Sequence, residues 1–349
     1  MRRLAPLAAL FLSIAFTARG AEPSAGPLFV NVVDIDAGAK TSRFDYASLD
    51  PASGRLFVAN MGAGRLMAID VQRGKLLAAL DGFAKTTGVL AVPALGRVYA
   101  SVPGAGLGAA LTVGLGMAGL SKGSGALALV DEASLRVIAK APAGVFPDGI
   151  AYDPAERRIF VSDELGRAVT ALDTDGHVLK RIAMGGEVGN VQYDAATGKL
   201  YAPIQSRNQL AVIDPAGLTL VDRFPLPGGK HPHGLSIAKD GRFAYAACDD
   251  DDRLLVIDLI ARRVIGNLPL AHDPDVLAGD PGLNRLYVAS ESGGLSVFDT
   301  TDQAAPKKIG DVMVGDDAHS LAVDPGTHRL YLPLRDLGGR AVIRVLAPR

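Results

Sequence analysis

The residues best suited to chemistry in this 349-residue chain are histidines and aspartates that recur at a nearly constant interval. His233, Asp275 and His319 lie 42 and 44 residues apart, and His231 and His272 precede the first two closely. Two imidazoles and a carboxylate are a ligand set that a divalent transition metal accepts with coordination positions left open. The same side chains could instead line a polar pocket for a small ligand. The interval indicates that they occupy equivalent places in a repeat.

The repeat is defined by a basic residue followed by a short strand-like run, and it occurs seven times. The basic residues are Arg55, Arg97, Arg158, Lys199, Arg242, Arg285 and Arg329. Their spacings are 42, 61, 41, 43, 43 and 44 residues, and all but one fit a four-stranded propeller blade. The sequence therefore predicts an all-β, seven-bladed β-propeller with four antiparallel strands per blade. The long spacing predicts an insertion at 103–125, in the loop between the second and third strands of blade two.

The two ends of the repeat region predict how the ring closes. The last repeat stops after its third strand, Ala341 to Val345, and an unpaired strand-like segment, Phe29 to Asp36, lies near the N-terminus. We expect this N-terminal strand to pair in the last blade, because such pairing removes a free sheet edge and ties the ends of the ring together.

Residues 1–20 have the pattern of a signal peptide. Two arginines precede an apolar run, Leu4 to Phe16, and small residues follow at Ala18 and Gly20. The sequence therefore predicts a periplasmic or secreted protein in which 21–349 form a single propeller domain. No later segment is apolar for long enough to predict a transmembrane span.

Composition argues against several classes of function. The formal net charge of −1 lacks the positive excess that nucleic-acid binding needs. Cys248 is the single cysteine, so the chain has no Cys-x-x-Cys-His motif for covalent haem and no intrachain disulfide. The absence of Trp disfavours WD40 repeats and the propellers that dock a quinone cofactor through Trp. We expect a monomer without a resident cofactor, unless a divalent transition metal is bound.

Propeller topology assigns the candidate residues to one face. The connections between blades share a face with the loops between the second and third strands, and the first strand of each blade lines the central channel. One residue of each repeat is expected at the mouth of this channel, five positions before the turn that ends the first strand. These seven residues form a ring: Asp45, Thr87, Asp148, Gly189, His233, Asp275 and His319. We predict that the polar members of this ring bind a ligand. The metal alternative uses His233, Asp275 and His319, with His231 and His272 nearby; in the simplest alternative all of these are solvated turn residues.

Three further features lie in loops or turns. The insertion contains eight glycines and one charged residue, Lys122, and could be a lid, a docking surface, a membrane-touching patch or a loop without a role. Its glycines disfavour a helix over Leu107 to Leu120. Asp249 to Asp252 lacks the spacing of a calcium loop and is expected to be solvated. The aspartates that end the third strands are expected to cap turns, and Cys248 is expected to be a small strand-end residue rather than a nucleophile.

The repeat resembles that of the YVTN-repeat family of bacterial seven-bladed propellers, including its YncE-like members. Blade five carries the resemblance best, in Pro232-His-Gly-Leu, Asp240-Gly-Arg-Phe-Ala-Tyr and Val256-Ile-Asp. The resemblance covers nearly the whole chain after the signal peptide and implies the propeller fold. It implies no catalytic residue, because the family has no shared catalytic signature to transfer.

These observations favour a non-catalytic protein that binds a small ligand or an unidentified protein partner at the channel mouth. The alternative is an enzyme, either a lactonase-like hydrolase or a metal-dependent oxidoreductase, that uses the His and Asp ring. An enzyme requires His233, Asp275 and His319 to converge on one water-filled pocket.

Overall fold

The strands of the computed structural model, which describes residues 28–104, 106–117 and 123–349, form seven four-stranded antiparallel sheets. The first strand in the chain is β1 (Phe29–Asp36). Blade one contains β2 (Ala47–Asp50), β3 (Arg55–Asn60), β4 (Arg65–Asp70) and β5 (Lys75–Asp81). Blade two contains β6 (Val89–Val92), β7 (Arg97–Val102), β8 (Gly125–Asp131) and β9 (Arg136–Gly144). Blade three contains β10 (Pro147–Asp153), β11 (Arg158–Asp163), β12 (Ala168–Asp173) and β13 (Val178–Ala183).

The remaining blades follow the same order. Blade four contains β14 (Gln192–Asp194), β15 (Lys199–Ile204), β16 (Gln209–Asp214) and β17 (Thr219–Pro225). Blade five contains β18 (Pro232–Ile237), β19 (Phe243–Cys248), β20 (Arg253–Asp258) and β21 (Arg263–Pro269). Blade six contains β22 (Pro274–Asp280), β23 (Arg285–Ser290), β24 (Gly294–Asp299) and β25 (Lys307–Met313). Blade seven contains β26 (Ala322–Val323), β27 (Leu330–Leu334), β28 (Val342–Pro348) and β1. Short 3-10 turns occur at Pro93–Leu95 and Gln205–Arg207.

The blades form a closed ring, and the prediction of a seven-bladed propeller is confirmed. The inner strands contact one another from β2 through β6, β10, β14, β18 and β22 to β26, and β26 returns to β2. β1 pairs antiparallel with β28, with Ile35 opposite Ile343, so the predicted closure of the last blade by the N-terminal strand is also confirmed. Asp34 reinforces the closure by accepting two hydrogen bonds from Arg344, at 2.8 and 3.0 Å.

Burial explains why the second and third strands of each blade are almost entirely apolar. Both faces of these strands pack against neighbouring blades, and the side chains from Leu56 to Ala59 in β3 are buried. The outer strands alternate between partly buried and exposed residues, as in β21, since one of their faces is closer to solvent.

In the first three blades, the basic residue that marks the repeat ties one blade to the next. Arg55 donates a hydrogen bond to the Glu132 carbonyl in the next blade, and Arg97 and Arg158 make the equivalent contacts one blade further on. The predicted turn caps are also confirmed: the Asp70 carboxylate accepts the backbone N–H groups of Gln72 and Arg73. The recurring residues therefore stabilise blade junctions and turns.

The insertion lies between β7 and β8, as predicted, but part of it is a helix, α1 (Gly106–Met117). The glycines disfavour a helix over Leu107 to Leu120, and the structure forms one over most of that stretch all the same. Gly116 lies against Val145, and a Cβ at this position would approach the Val145 Cγ2 atom to 2.5 Å, so this glycine permits close packing. Over the described residues, no helix combines the length and apolar character needed to cross a membrane. The predicted signal peptide, 1–20, lies outside the described residues.

Candidate functional site

A cavity of about 760 Å³, including its open mouth, lies on the face that carries the connections between blades. Two concentric sets of residues line it. The inner set comes from the start of the first strands and includes Asp45, Thr87, Asp148, His233 and Asp275. The outer set comes from the residue directly after the second strand of five blades: Met61, Glu164, Gln205, Asp249 and Glu291. We refer to this cavity as the channel-mouth cup.

Local backbone geometry positions the inner set. In four blades the residue two positions before the ring residue has a left-handed backbone: Lys85, His231, Asp273 and Asp317. Glycines directly after the ring residue then allow adjacent blades to approach closely. A Cβ on Gly88 would lie 2.0 Å from the Asp148 carbonyl oxygen, and a Cβ on Gly234 would lie 1.9 Å from that of Asp275. The glycine of the repeat is therefore a requirement of packing around the axis.

His233 is the centre of the charge arrangement. Its Nε2 atom lies 3.4 Å from Asp275 Oδ1 in the next blade and 3.7 Å from Asp148 Oδ2, two blades away in the other direction. Gly189 occupies the intervening ring position and has no side chain to stand between them. The backbone N–H of Asn190 donates to the His233 carbonyl at 3.0 Å. One ring nitrogen therefore faces two carboxylate oxygens.

Burial and mutual repulsion shift the pKa values of the cup. Burial alone would lower the pKa of His233, but Asp275, Asp148 and Glu164 together raise it to about 9. Burial raises the pKa of Asp45 well above its usual range, and repulsion by Asp148 adds to this effect. Burial also raises the pKa of Glu164 to about 7. The cup therefore holds a cationic imidazole among carboxyl groups that resist ionisation.

His319 is the ring residue that the structure places elsewhere. Its side chain is buried, with 1% of the residue exposed, and its Nδ1 lies 3.1 Å from Asp317 Oδ1. Burial alone would lower the pKa of His319, but the hydrogen bond to Asp317 and the charges of Asp275 and Asp45 raise it to about 9. His319 is absent from the described lining of the cup. This residue therefore stabilises a blade junction instead of facing a ligand.

Stability should depend on pH through this pair. The folded pKa of His319 is raised from 6.5 to about 9, so its contribution is fully present below about pH 6.5 and is lost as pH rises through about 9. We expect His319→Gln to lower the free energy of unfolding by about 2–3 kcal/mol at low pH and by much less near about pH 10. Urea unfolding at several pH values measures this difference. A pH-independent difference, or an equal effect of His177→Gln on the opposite face, would contradict the assignment.

The predicted metal set of His233, Asp275 and His319 is not assembled. Among the described residues, the one group of three potential ligand side chains whose ligand atoms lie within 4.8 Å of one another is His231, Asp249 and Asp250. His231 Nδ1 already lies 2.8 Å from Asp249 Oδ1, at the rim of the cup. His272 is exposed, and its Nδ1 lies 3.0 Å from Asp252 Oδ2.

Several buried polar atoms of the cup obtain no hydrogen-bond partner from the described residues. They are Asp148 Oδ2, Asp275 Oδ1, the Tyr46 hydroxyl, and both amide atoms of Gln205. Asp148 is 4% exposed and Gln205 is 1% exposed, so burial of these groups without partners carries a free-energy cost. Thr87 differs, because its hydroxyl donates to the Pro147 carbonyl at 2.8 Å.

Two of the other sequence features have structural roles. Cys248 ends β19, is fully buried, and has its thiol pKa raised by burial, as a small strand-end residue should. The acidic run is not simply solvated, because Asp249, Asp251 and Asp252 accept hydrogen bonds from neighbouring loops. His328, in a turn of blade seven, has its Nδ1 2.9 Å from Oδ2 of the buried Asp280 carboxylate.

The outer set of the cup was missed by sequence reasoning, although the repeat contains a signal for it. Each outer residue directly follows the second strand of its blade, and those strands were aligned by their basic residues. Glu164 is held there because its backbone N–H donates to the Phe146 carbonyl at 3.0 Å, while Asp163 accepts the N–H groups of Val145 and Phe146. Reading the next residue in every repeat would have found this set.

Comparison with known proteins identifies the fold. No protein-family model and no curated protein sequence matches the chain. Hydrazine synthase from Kuenenia stuttgartiensis is similar in structure at 15% identity, with a TM-score of 0.70 over 90% of this chain and 98% of that one. The WD40 repeats of RRP9 (9% identity, TM-score 0.73) and the structure of U3-55K (10%, 0.72) are also similar, each over 91% of this chain and 98% of theirs. At these identities the similarity establishes a seven-bladed β-propeller and nothing about function.

Proposed function

We propose that this chain is an exported propeller of the YVTN-repeat type that binds a small polar ligand in the channel-mouth cup without transforming it chemically. The observation that carries the proposal is the set of buried polar atoms on the cup wall that the described residues leave without partners. A ligand that supplies those partners offsets the cost of burying them. The enclosed part of the cup, about 270 Å³, is close to the lower limit of small-molecule sites.

The position of His319 favours binding over the enzyme alternative. An enzyme built on the predicted ring needs His233, Asp275 and His319 to reach one reacting centre. His319 is instead bound to Asp317 and buried outside the described lining of the cup. Glu164, with a pKa of about 7, suits a general base, but the same property also suits a counter-ion for a bound ligand.

Native mass spectrometry of protein purified from the periplasm of its host tests the proposal. We expect a small-molecule adduct on the wild-type protein and loss of most of that adduct in Asp148→Asn. Glu156→Gln is a matched control, because Glu156 lies in the same blade on the opposite face, beside Arg158. An adduct that persists in Asp148→Asn, or protein that carries no adduct even after incubation with periplasmic extract, would contradict the proposal.

A further inference from the structure

The geometry points to a small organic cation as the ligand of the channel-mouth cup, with a primary ammonium or amidinium group carried on an apolar body. This inference rests on the proposed function, because it names the ligand class of the same cup. It depends on three features of the lining: an excess of hydrogen-bond acceptors, acidic side chains that outnumber the cationic ones, and apolar side chains.

Acceptors outnumber donors at the inner wall of the cup. Asp148 Oδ2 and Asp275 Oδ1 both face the single Nε2 atom of His233, at 3.7 and 3.4 Å, distances too long for a good hydrogen bond to either. Gln205, also on the lining, adds an unpartnered carbonyl oxygen together with its unpartnered amide NH2 group. A ligand that completes these contacts must bring several N–H donors. Ammonium and amidinium groups carry such donors and no acceptor.

The cationic side chains of the cup already have carboxylate partners. Arg43 donates to Glu291 at 2.6 Å, and His231 lies 2.8 Å from Asp249. His233 is shared between Asp148 and Asp275, so the seven acidic side chains on the lining outnumber its three cations. Glu164 remains as a further acid on the wall, and repulsion by Asp148 adds to the effect of its burial. A bound cation would relieve this repulsion and favour the ionised form of Glu164. A bound anion would increase it.

The lining of the cup also carries apolar and aromatic side chains. They are Tyr46, Phe146, Met61 and Pro274. Aromatic rings and a thioether accept an apolar body, and the face of an aromatic ring also attracts a cation. A free metal ion would make no use of these side chains. Among the described residues, Asp148, Asp275 and His233 do not form a group whose possible metal-ligand atoms all lie within 4.8 Å of one another.

Isothermal titration with three probes of the same shape tests the inference. Benzylamine, benzyl alcohol and benzoate differ mainly in charge, so the comparison isolates the cation. We choose about pH 8, where Glu164, with its pKa of about 7, is mostly ionised. We expect benzylamine to bind about tenfold or more tightly than benzyl alcohol, and benzoate to show no saturable binding. We expect benzylamine affinity to fall as pH is lowered through about 7.

Two variants and one control assign the binding to the cup. Glu164→Gln and Asp148→Asn should each weaken benzylamine binding by about tenfold, since each removes a charged acceptor. In Glu164→Gln the decrease in affinity around about pH 7 should also disappear. Glu156→Gln should bind benzylamine as the wild-type protein does. Circular dichroism of each variant shows whether it retains the wild-type fold.

The outcomes separate this inference from the proposed function. Equal binding of benzyl alcohol and benzylamine, or tighter binding of benzoate, at a site sensitive to Asp148→Asn would overturn the cation and leave a ligand-binding cup. Binding of Zn²⁺ or Ca²⁺ at that site, without binding of any of the three probes, would also overturn the organic cation and leave a ligand-binding cup. Absence of any saturable binding, at probe concentrations on the order of 10 mM, would overturn the inference and remove this support for the proposed function.

Discussion

A variant that lacks residues 29–36 but keeps everything before them should fail to form a stable propeller. Without β1, the hydrogen-bonding edge of β28 is exposed, and the buried Ile35 side chain is lost from the core between the last and first blades. Arg344, which is largely buried, also loses the Asp34 carboxylate. We expect the free energy of unfolding to fall by more than about 5 kcal/mol, a large part of the stability of a typical domain. Aggregation through the free edge should accompany the loss.

Thermal unfolding and size-exclusion chromatography measure this effect. A second deletion, from Leu107 to Lys122 with a short Gly-Ser link, is the matched control, because it removes a longer segment of the insertion, outside the blades. We expect the control to remain a folded protein with a melting temperature close to that of the wild type. A truncated chain that melts within about 2 °C of the wild-type protein would show that β1 does not close the ring.

The substitution Gly234→Ala should strongly reduce the stability of the fold, because it adds a methyl group where two blades meet at the cup. Its Cβ would lie 1.9 Å from the Asp275 carbonyl oxygen and 2.5 Å from Leu277 Cδ1. The first of these atoms belongs to the backbone of the next blade, which cannot move without shifting the inner strands around the axis. We expect a loss of about 3 kcal/mol or more in the free energy of unfolding, at the upper end of overpacking effects.

Urea unfolding of Gly234→Ala and Gly279→Ala makes the comparison. Gly279 lies on β22 in the next blade, and a Cβ added there would lie 3.8 Å from Ser236 Oγ, an ordinary van der Waals contact. We expect this control to change stability by no more than about 0.5 kcal/mol. Equal losses in the free energy of unfolding of the two variants would contradict the claim that the close approach of blades five and six requires glycine at position 234.

The fold could be predicted from sequence because each blade buries its strands with the same pattern of apolar residues at the same spacing. The spacing of the basic residues counted seven blades, and the missing fourth strand of the last repeat identified Phe29 to Asp36 as its replacement. The helix in the insertion could not be predicted in this way. It occurs once in the chain, and its packing against Val145 depends on a contact with a connection between blades that no repeat encodes.

The candidate site could be predicted only for residues whose side-chain orientation follows from their position in the repeat. Asp45, Thr87, Asp148, His233 and Asp275 lie on the cup as the repeat indicated. His319 occupies the equivalent position, but its Nδ1 lies 3.1 Å from Asp317 Oδ1, and its side chain is buried away from the cup. Pairing of neighbouring side chains, as in His231 with Asp249, likewise depends on distances that spacing along the chain does not give.

A high-resolution crystal structure of the protein purified from its native host would test the ligand-binding cup most directly. We predict continuous electron density larger than a water molecule, within hydrogen-bond distance of Asp148, Asp275 and Gln205 and in contact with Phe146. Density that consists of separate water molecules at these side chains, in crystals grown without added ligands and again after exposure to periplasmic extract, would contradict the account.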